Sequence, residues 1–154
     1  MIDERFVKIG EFAKIWHPEL VNIYGNEDSF CIIGNSNIGA FVEIGPGVVI
    51  GDNVSIGAFC FIPSGITIED GCFIGPGVLF TNDKYPPSHK AEWRKTVVKK
   101  NARIGAKAVI APGITIGERS LIGMGSVVTK DVPEGSIVMG NPAKIRLKKI
   151  WKED

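Results

Sequence analysis

A polar and aromatic run between Phe80 and Val98 holds most of the side chains that could do chemistry. It supplies an amide, carboxylates, a phenol, an imidazole and cations, in the order Thr81-Asn82-Asp83-Lys84-Tyr85-Pro86-Pro87-Ser88-His89-Lys90-Ala91-Glu92-Trp93-Arg94. His89 is one of only two histidines, the other being His17, and histidine is the most frequent general base. Long polar loops on a rigid scaffold commonly carry binding and catalysis. This segment is therefore the first candidate site.

Charge is distributed unevenly along the chain. Residues 1–83 hold eleven acids and three bases, a net −8, whereas residues 84–154 hold fifteen bases and six acids, a net +9. A basic second half indicates a polyanionic ligand or partner, and solvated surface lysines are the equally weighted alternative. Cys31, Cys60 and Cys72 form no C-x-x-C pair, so we interpret them as reduced, buried small residues.

The composition is that of one soluble globular domain of 154 residues, with 44% hydrophobic and 23% charged residues. The first five residues, Met1-Ile2-Asp3-Glu4-Arg5, are charged where a signal peptide needs an apolar run. No stretch approaches the roughly 18 apolar residues of a membrane span. We expect a cytoplasmic protein that engages neither membrane nor nucleic acid.

The elements that must position the polar run are written in a six-residue repeat. An aliphatic or aromatic residue recurs at Ile38, Ile44, Ile50, Ile56, Ile62, Ile68, Ile74 and Phe80, and again at Val98, Ile104, Ile110, Ile116, Ile122 and Val128. The next residue is usually glycine, a turn pair such as Pro46-Gly47 often follows, and the fifth residue is small or β-branched. A period of six fits neither an α-helix nor a coiled coil.

The repeat predicts a short strand followed by a sharp corner. Three such sides close a triangular coil, and stacked coils pair as parallel strands ~4.8 Å apart. The aliphatic residue and the small fifth residue point into the prism, and glycine permits positive φ at the corners. The step from Phe80 to Val98 equals three hexads, so the prism can close beneath a projecting loop without a change of phase.

Two further strings follow the last hexad: Thr129-Lys130-Asp131-Val132-Pro133 and Gly140-Asn141-Pro142-Ala143-Lys144. Together with the hexads over roughly residues 30–143, they resemble the hexapeptide-repeat acyltransferases, and most closely the bacterial N-acetyltransferases of nucleotide-linked amino sugars. The resemblance implies an all-β, left-handed parallel β-helix of about five coils. Handedness comes from the resemblance, because parallel crossovers are otherwise right-handed.

The expected organisation has three parts. Residues 1–30 are an entry and cap segment, residues 31–143 are the β-helix with a loop at 81–97, and residues 144–154 are a helical tail. The spacing of five residues between Ile33 and Ile38 makes the first coil irregular. The tail has no glycine or proline after Pro142, which favours a short helix that covers the strand edges at that end.

The resemblance also implies the donor and the assembly. The reaction is acyl transfer from acetyl-CoA, without a metal, in a homotrimer whose donor lies in a groove between two subunits. Residues that match the pantetheine-binding positions are Ala106, Gly123, Gly125 and Ser126. Those that match the region meeting the nucleotide phosphates are Lys130, Lys144 and Arg146, for which solubilising surface charge is the alternative.

The loop indicates which acceptor is used. In O-acetylating relatives a histidine base follows the strand that opens the loop, because a hydroxyl must lose its proton as the bond forms. The corresponding stretch, Leu79-Phe80-Thr81-Asn82-Asp83-Lys84-Tyr85-Pro86, contains no histidine and resembles the loop of amino-sugar N-acyltransferases. A sugar amine is partly unprotonated near neutral pH and needs no strong base. We therefore expect an amino-sugar substrate of cell-surface polysaccharide synthesis, such as that of lipopolysaccharide.

The same resemblance assigns roles in the loop. Asn82 orients the sugar, and Asp83 accepts a proton or binds the ammonium form, so that these two are the catalytic candidates. Further acceptor contacts are expected from Tyr85, Trp93 and Arg94, the last two at the nucleotide or pyrophosphate. Packing of Trp93 onto the prism remains open as its alternative.

Other functions stay open at this point. One is sugar O-acetylation with His89 as the base, and another is a non-catalytic β-helix scaffold. A γ-type carbonic anhydrase shares the prism but needs three zinc-binding histidines, and this chain has two.

Overall fold

The computed structural model describes residues 1–147 and consists of six stacked triangular coils. Coil 1 is β1 (Val7–Ile9), β2 (Lys14–Ile15) and β3 (Asn22–Ile23); coil 2 is β4 (Cys31–Ile33), β5 (Asn37–Ile38) and β6 (Glu43–Ile44); coil 3 is β7 (Val49–Ile50), β8 (Ser55–Ile56) and β9 (Phe61–Ile62). Coil 4 is β10 (Ile66–Ile68), β11 (Phe73–Ile74) and β12 (Leu79–Phe80); coil 5 is β13 (Thr96–Val98), β14 (Arg103–Ile104) and β15 (Val109–Ile110); coil 6 is β16 (Thr115–Ile116), β17 (Leu121–Ile122) and β18 (Val127–Val128). A hairpin, β19 (Ile137–Gly140) and β20 (Ala143–Leu147), follows.

Each strand pairs with the strand three places along the chain, which produces three flat faces. Sheet I runs β1-β4-β7-β10-β13-β16, sheet II runs β2-β5-β8-β11-β14-β17-β19-β20, and sheet III runs β3-β6-β9-β12-β15-β18. The ladders of the six coils are all parallel and pair like positions of the hexad, as in Ile56 with Ile74. The predicted parallel β-helix is confirmed.

The core is the column of side chains enclosed by the three sheets. The aliphatic position of every hexad from Ile38 to Val128 is at most 3% exposed, and the small fifth residues are buried with it, so the inward register is confirmed. The three cysteines belong to this core. Burial raises the pKa of Cys31 to about 12 and that of Cys72 to about 11, which makes them inert packing groups.

The corners use glycine in two different ways. The glycine directly after the aliphatic residue keeps negative φ but has no room for a side chain: a Cβ on Gly75 would lie 2.6 Å from the Ala106 nitrogen of the next coil. Positive φ falls two residues later, at Gly77 (70°) and Phe59 (62°). Close approach of coils and left-handed backbone are therefore separate requirements at separate positions.

The N-terminal end of the prism is longer than the hexads indicate. Residues 7–23, within the expected entry and cap segment, form coil 1 and pair with coil 2, which gives six coils instead of about five. The hexad rhythm is obscured there because the connections are long. A 3-10 turn at Pro18–Leu20 lies between β2 and β3, and a tight turn at Asn26–Ser29 precedes β4.

At the C-terminal end, the predicted helix is wrong over residues 144–147. Strand β20 pairs antiparallel with β19, with Val138 opposite Ile145, because the last strand of sheet II otherwise exposes unpaired backbone groups. The remainder of the predicted helix, residues 148–154, lies outside the described residues. Nowhere in residues 1–147 is there a helix with the length and hydrophobicity needed to cross a bilayer.

Candidate functional site

The polar loop leaves the prism at the corner between sheets III and I, in coil 4. Val98 pairs with Ile68 before the loop and with Ile116 after it, so the predicted preservation of phase is confirmed. The loop base is fixed by backbone groups. The Asn82 side-chain amide donates to the Ser64 carbonyl at 3.1 Å, and the Arg94 N–H donates to the Asn82 carbonyl at 2.9 Å.

Asp83 organises the first half of the loop. Its carboxylate accepts from the Ser88 N–H at 2.8 Å, from the Ser88 hydroxyl at 2.7 Å and from the Tyr85 N–H at 3.1 Å. The Ser88 backbone N–H above all, followed by the Ser88 hydroxyl and the Tyr85 N–H, lowers the pKa of Asp83 below its ordinary value. The group is an anion near neutral pH and a weak proton acceptor.

A cavity of about 360 Å³ lies inside the loop and is called the loop cavity here. Three of the predicted acceptor residues line it together, and its lining comprises Asp83, Lys84, Tyr85, Ser88, Glu92 and Arg94. The Lys84 ammonium lies 5.5 Å from the centre of the Tyr85 ring. The Arg94 stem crosses Gly113, where a Cβ would lie 3.1 Å from the Arg94 Cδ. Among residues 1–147, no carboxylate forms an ion pair with Arg94, so its charge is available to a ligand.

Two loop residues lie outside this lining. Trp93 is half-buried, and its indole nitrogen is shielded from solvent without a hydrogen-bond partner. Lys90 places its ammonium 5.9 Å from the Trp93 ring centre, so packing within the loop describes Trp93 better than ligand contact does. His89 is exposed, and within the described part of the chain its imidazole makes no hydrogen bond that would orient it as a base.

A second concavity, the corner groove, follows the corner between sheets II and III across coils 4 to 6. It has a volume of about 670 Å³ and is lined by Phe59, Pro76, Gly77, Ala106, Lys107, Met124 and Gly125. Two of the predicted pantetheine-binding residues, Ala106 and Gly125, form part of its floor. Since Gly77 and Gly125 occupy corner apices, a ligand can approach the backbone there closely.

The other two predicted pantetheine positions are occupied by packing. Ser126 is fully buried, and its hydroxyl accepts from the Gly140 N–H at 3.1 Å. At Gly123, a Cβ would lie 2.7 Å from the Met139 Cβ. Both residues hold the β19–β20 hairpin against coil 6 and shape the groove from beneath.

A third cavity, the end cavity, lies beyond coil 6 and brings two predicted phosphate contacts together. It holds about 320 Å³ and is lined by Val128, Thr129, Lys130, Asp131, Val132, Val138, Pro142, Ala143, Lys144 and Ile145. Asp131 is partly occupied, since it accepts from the Thr115 N–H at 2.8 Å. Arg146 is exposed on β20 and does not line this cavity.

Sequence reasoning missed the apolar half of the corner groove. Phe59 and Gly77 are 18 residues apart, as are Lys107 and Gly125, because each occupies the same corner apex in successive coils. Reading the repeat at one coil per line, instead of one hexad, would have identified this row. No group of three or more His, Cys, Asp or Glu side chains within residues 1–147 is arranged to hold a metal ion.

A triangular prism of hexapeptide coils with one projecting loop and an apolar corner groove defines a class of bacterial transferases. The family model described as "Bacterial transferase hexapeptide (six repeats)" matches residues 31–64, 47–82 and 95–130, more than half of the sequence. The chain belongs to this family of left-handed parallel β-helices. A search of curated proteins gives no match.

Several solved structures are similar to this chain. GDP-perosamine N-acetyltransferase from Caulobacter crescentus, in complex with CoA and GDP-perosamine, is 24% identical with a TM-score of 0.63; the alignment covers 91% of this chain and 56% of that one. A hexapeptide-repeat acetyltransferase from Vibrio cholerae O1 biovar eltor, complexed with acetyl-CoA, is 29% identical with a TM-score of 0.62 and coverages of 86% and 74%. The polySia-specific acetyltransferase NeuO is 25% identical with a TM-score of 0.79 and coverages of 96% and 69%. This chain thus spans little more than half the length of the perosamine enzyme.

Proposed function

We propose that this protein is an acetyl-CoA-dependent N-acetyltransferase that acts on an amino sugar linked to a nucleotide. The observation that carries the proposal is the corner groove, whose floor of glycine and alanine backbone lies at the level of the polar loop. Both the perosamine enzyme and the Vibrio enzyme contain CoA or acetyl-CoA, and the perosamine enzyme also binds a nucleotide-linked sugar.

The donor is assigned to the corner groove and the end cavity. An apolar, narrow surface suits the pantetheine arm, and backbone groups at Ala106 and Gly125 can approach it without an intervening long side chain. Lys130 and Lys144 converge in the end cavity, where two cations favour binding of the CoA phosphates. Gly123 and Ser126 support this surface from below, and Arg146 on β20 adds a further exposed cation.

The acceptor is assigned to the loop cavity. Arg94 and Lys84 offer unneutralised positive charge for a pyrophosphate, and the Asp83 carboxylate offers negative charge for the ammonium form of the amine. Asn82 holds the loop base through Ser64, so it positions these groups and can orient the sugar from the same corner. Tyr85 gives the cavity a ring edge against which a sugar can pack.

The reaction requires little acid–base help from the protein. The free amine attacks the thioester carbonyl, a C–N bond forms, the C–S bond breaks, and the amine proton is lost as the CoA thiol leaves. Since the pKa of Asp83 is lowered, this carboxylate suits electrostatic binding of the ammonium better than proton removal. The uncharged amine already present near neutral pH is then the nucleophile.

The two halves of the site lie on different edges of one prism, the loop at the III–I corner and the groove at the II–III corner. A complete site therefore needs the loop of one copy beside the groove of another, which a homotrimer provides. Light scattering is expected to give a mass near three chains. An active monomer would contradict this arrangement.

Mass spectrometry tests the activity directly. The protein is incubated with acetyl-CoA and a panel of nucleotide-linked amino sugars, each matched with the sugar that carries a hydroxyl in place of the amine. We expect one acetyl group to be added to an amino sugar and none to its hydroxyl match. Acetylation of the hydroxyl match alone would overturn the N-acetyltransferase assignment.

Acetyl transfer to a sugar hydroxyl is the second candidate, favoured by the similarity to the polySia-specific acetyltransferase. It would require exposed His89 to turn towards the acceptor as the base. A non-catalytic scaffold would give no product and no thermal stabilisation by acetyl-CoA. The proposed biological setting is the cytoplasmic synthesis of a polysaccharide precursor.

A further inference from the structure

Two aromatic residues stand at the corner apex immediately before the corner groove. Phe41 in coil 2 and Phe59 in coil 3 have their ring centres 4.9 Å apart and their ring planes within 4° of parallel. They remain 51% and 65% exposed in spite of this stack. Large aromatic rings left this exposed call for an explanation other than core packing.

Both residues hold a backbone conformation that disfavours them. Their φ angles are 56° and 62°, whereas the same apex in coils 4 and 6 is glycine, Gly77 and Gly125, with φ of 70° and 67°. A left-handed backbone at a bulky residue is uncommon and tends to occur at functional positions. The change from phenylalanine to glycine falls between coil 3 and coil 4, where the groove begins.

The ring of Phe59 therefore closes one end of the groove. It is part of the lining, whereas Phe41 behind it is not. Gly77, the next apex along the prism, carries no side chain, so the space beyond the ring is open towards Ala106 and Met124. Phe41 supports the ring from the far side, which leaves it little freedom to move away from a ligand.

The axial order of the cavities sets the direction of the donor. The end cavity with Lys130 and Lys144 lies beyond coil 6, and the acceptor loop follows β12 in coil 4. A donor with its phosphates at the lysines and its thioester level with the loop points its acyl group towards coil 3. We propose that Phe59, supported by Phe41, is the end wall of the acyl site and restricts the donor to acetyl-CoA. This inference rests on the proposed function.

Calorimetric binding tests the end wall without an acceptor. Dissociation constants are measured for CoA, acetyl-CoA and butyryl-CoA with the full-length protein and with Phe59→Ala. We expect the unaltered protein to bind butyryl-CoA at least about tenfold more weakly than acetyl-CoA, as added methylenes in a closed apolar site typically cause. Phe59→Ala is expected to reduce this ratio to near one and to leave CoA binding unchanged.

Phe41→Ala is the matched control, because it removes an equal ring from the same stack and keeps alanine at a similar positive φ. It is expected to retain most of the discrimination, since the ring that meets the ligand is still present. Equal affinity for both acyl-CoAs in the unaltered protein, or a ratio unchanged by Phe59→Ala with CoA binding intact, overturns the end wall alone. Failure of the unaltered protein to bind any of the three ligands overturns the proposed donor, and the inference with it.

Discussion

The two kinds of corner glycine predict unequal costs for the same substitution in coil 4. Gly75→Ala would place a Cβ 2.6 Å from the Ala106 nitrogen and 2.9 Å from the Ile104 oxygen. These are backbone atoms of the next coil and can be relieved only by separating two coils. Overpacking of this kind costs about 3 kcal/mol, at the upper end of the usual range.

Gly77→Ala meets a different obstacle. Its Cβ would find only the Lys107 Cγ, at 3.3 Å, and a lysine stem can move aside. The cost is the left-handed backbone, φ 70°, or about 1 kcal/mol for an L-residue. Both substitutions stiffen the unfolded chain equally, so that contribution cancels in the comparison. Gly75→Ala should be the more destabilising by about 2 kcal/mol.

Urea unfolding at one fixed protein concentration measures this difference. With an m-value of about 2 kcal/mol/M, the midpoint of Gly75→Ala should lie about 1 M below that of Gly77→Ala. The fixed concentration matters because subunit association shifts apparent stability. Equal midpoints, or a lower midpoint for Gly77→Ala, would show that positive φ rather than coil-to-coil approach limits these corners.

Three other predictions concern the core and the loop. Ile56→Asp places an unpaired charge at a position 3% exposed, at a cost of several kcal/mol; circular dichroism should show loss of the β signal, and a folded variant would refute the inward register. His89→Ala should keep kcat/KM within about tenfold, whereas Asn82→Ala should lower it further by misplacing the acceptor; the reverse order would favour O-acetylation. Because the folded-state pKa of Asp83 lies below its ordinary value of 3.8, its contribution to loop order is fully present above that value and is lost as pH falls through the lowered pKa. Trp93 fluorescence should report this acid transition, and its persistence in Asp83→Asn would assign it to another group.

The prism could be predicted from the sequence because its period is a direct consequence of its geometry. A side chain either faces the narrow interior or does not, and a one-residue slip would expose the whole aliphatic set. Ile56 and Ile104 are therefore placed correctly by counting alone. The end coils are harder, since the 3-10 turn at Pro18–Leu20 breaks the count while the strands on either side still pair.

The C-terminal tail failed for a related reason. Residues 144–147 have acceptable helix propensity, and local composition cannot register an unpaired edge on the strand that precedes them. Pairing of β20 with β19 satisfies that edge, and this tertiary gain exceeds a weak local preference. Arg146 consequently lies on an exposed strand, where it remains a prediction as a phosphate contact.

The candidate site was predictable in its chemical groups but not in their arrangement. Asn82, Asp83 and Arg94 were found because a polar insertion interrupts a regular repeat, yet the hydrogen bonds from Ser88 that lower the pKa of Asp83 depend on how the loop folds back on itself. The groove residues escaped notice because each is unremarkable in its own hexad and becomes a surface only when coils are stacked.

The separation of loop and groove carries the most consequential constraint on mechanism. On an equilateral prism, groups at two different corners face different directions, and the rigid ladders of sheet III between them prevent any closure within one chain. Asp83 and Gly125 can contribute to one reaction only if the III–I corner of one copy lies against the II–III corner of another. Mixed assemblies of an Asn82→Ala variant with a variant blocked in the groove, such as Gly125→Trp, should therefore regain activity that neither has alone, since some interfaces then combine an intact loop with an intact groove. Absence of such complementation, with mixed trimers demonstrated by mass spectrometry, would place both halves of the site on a single chain.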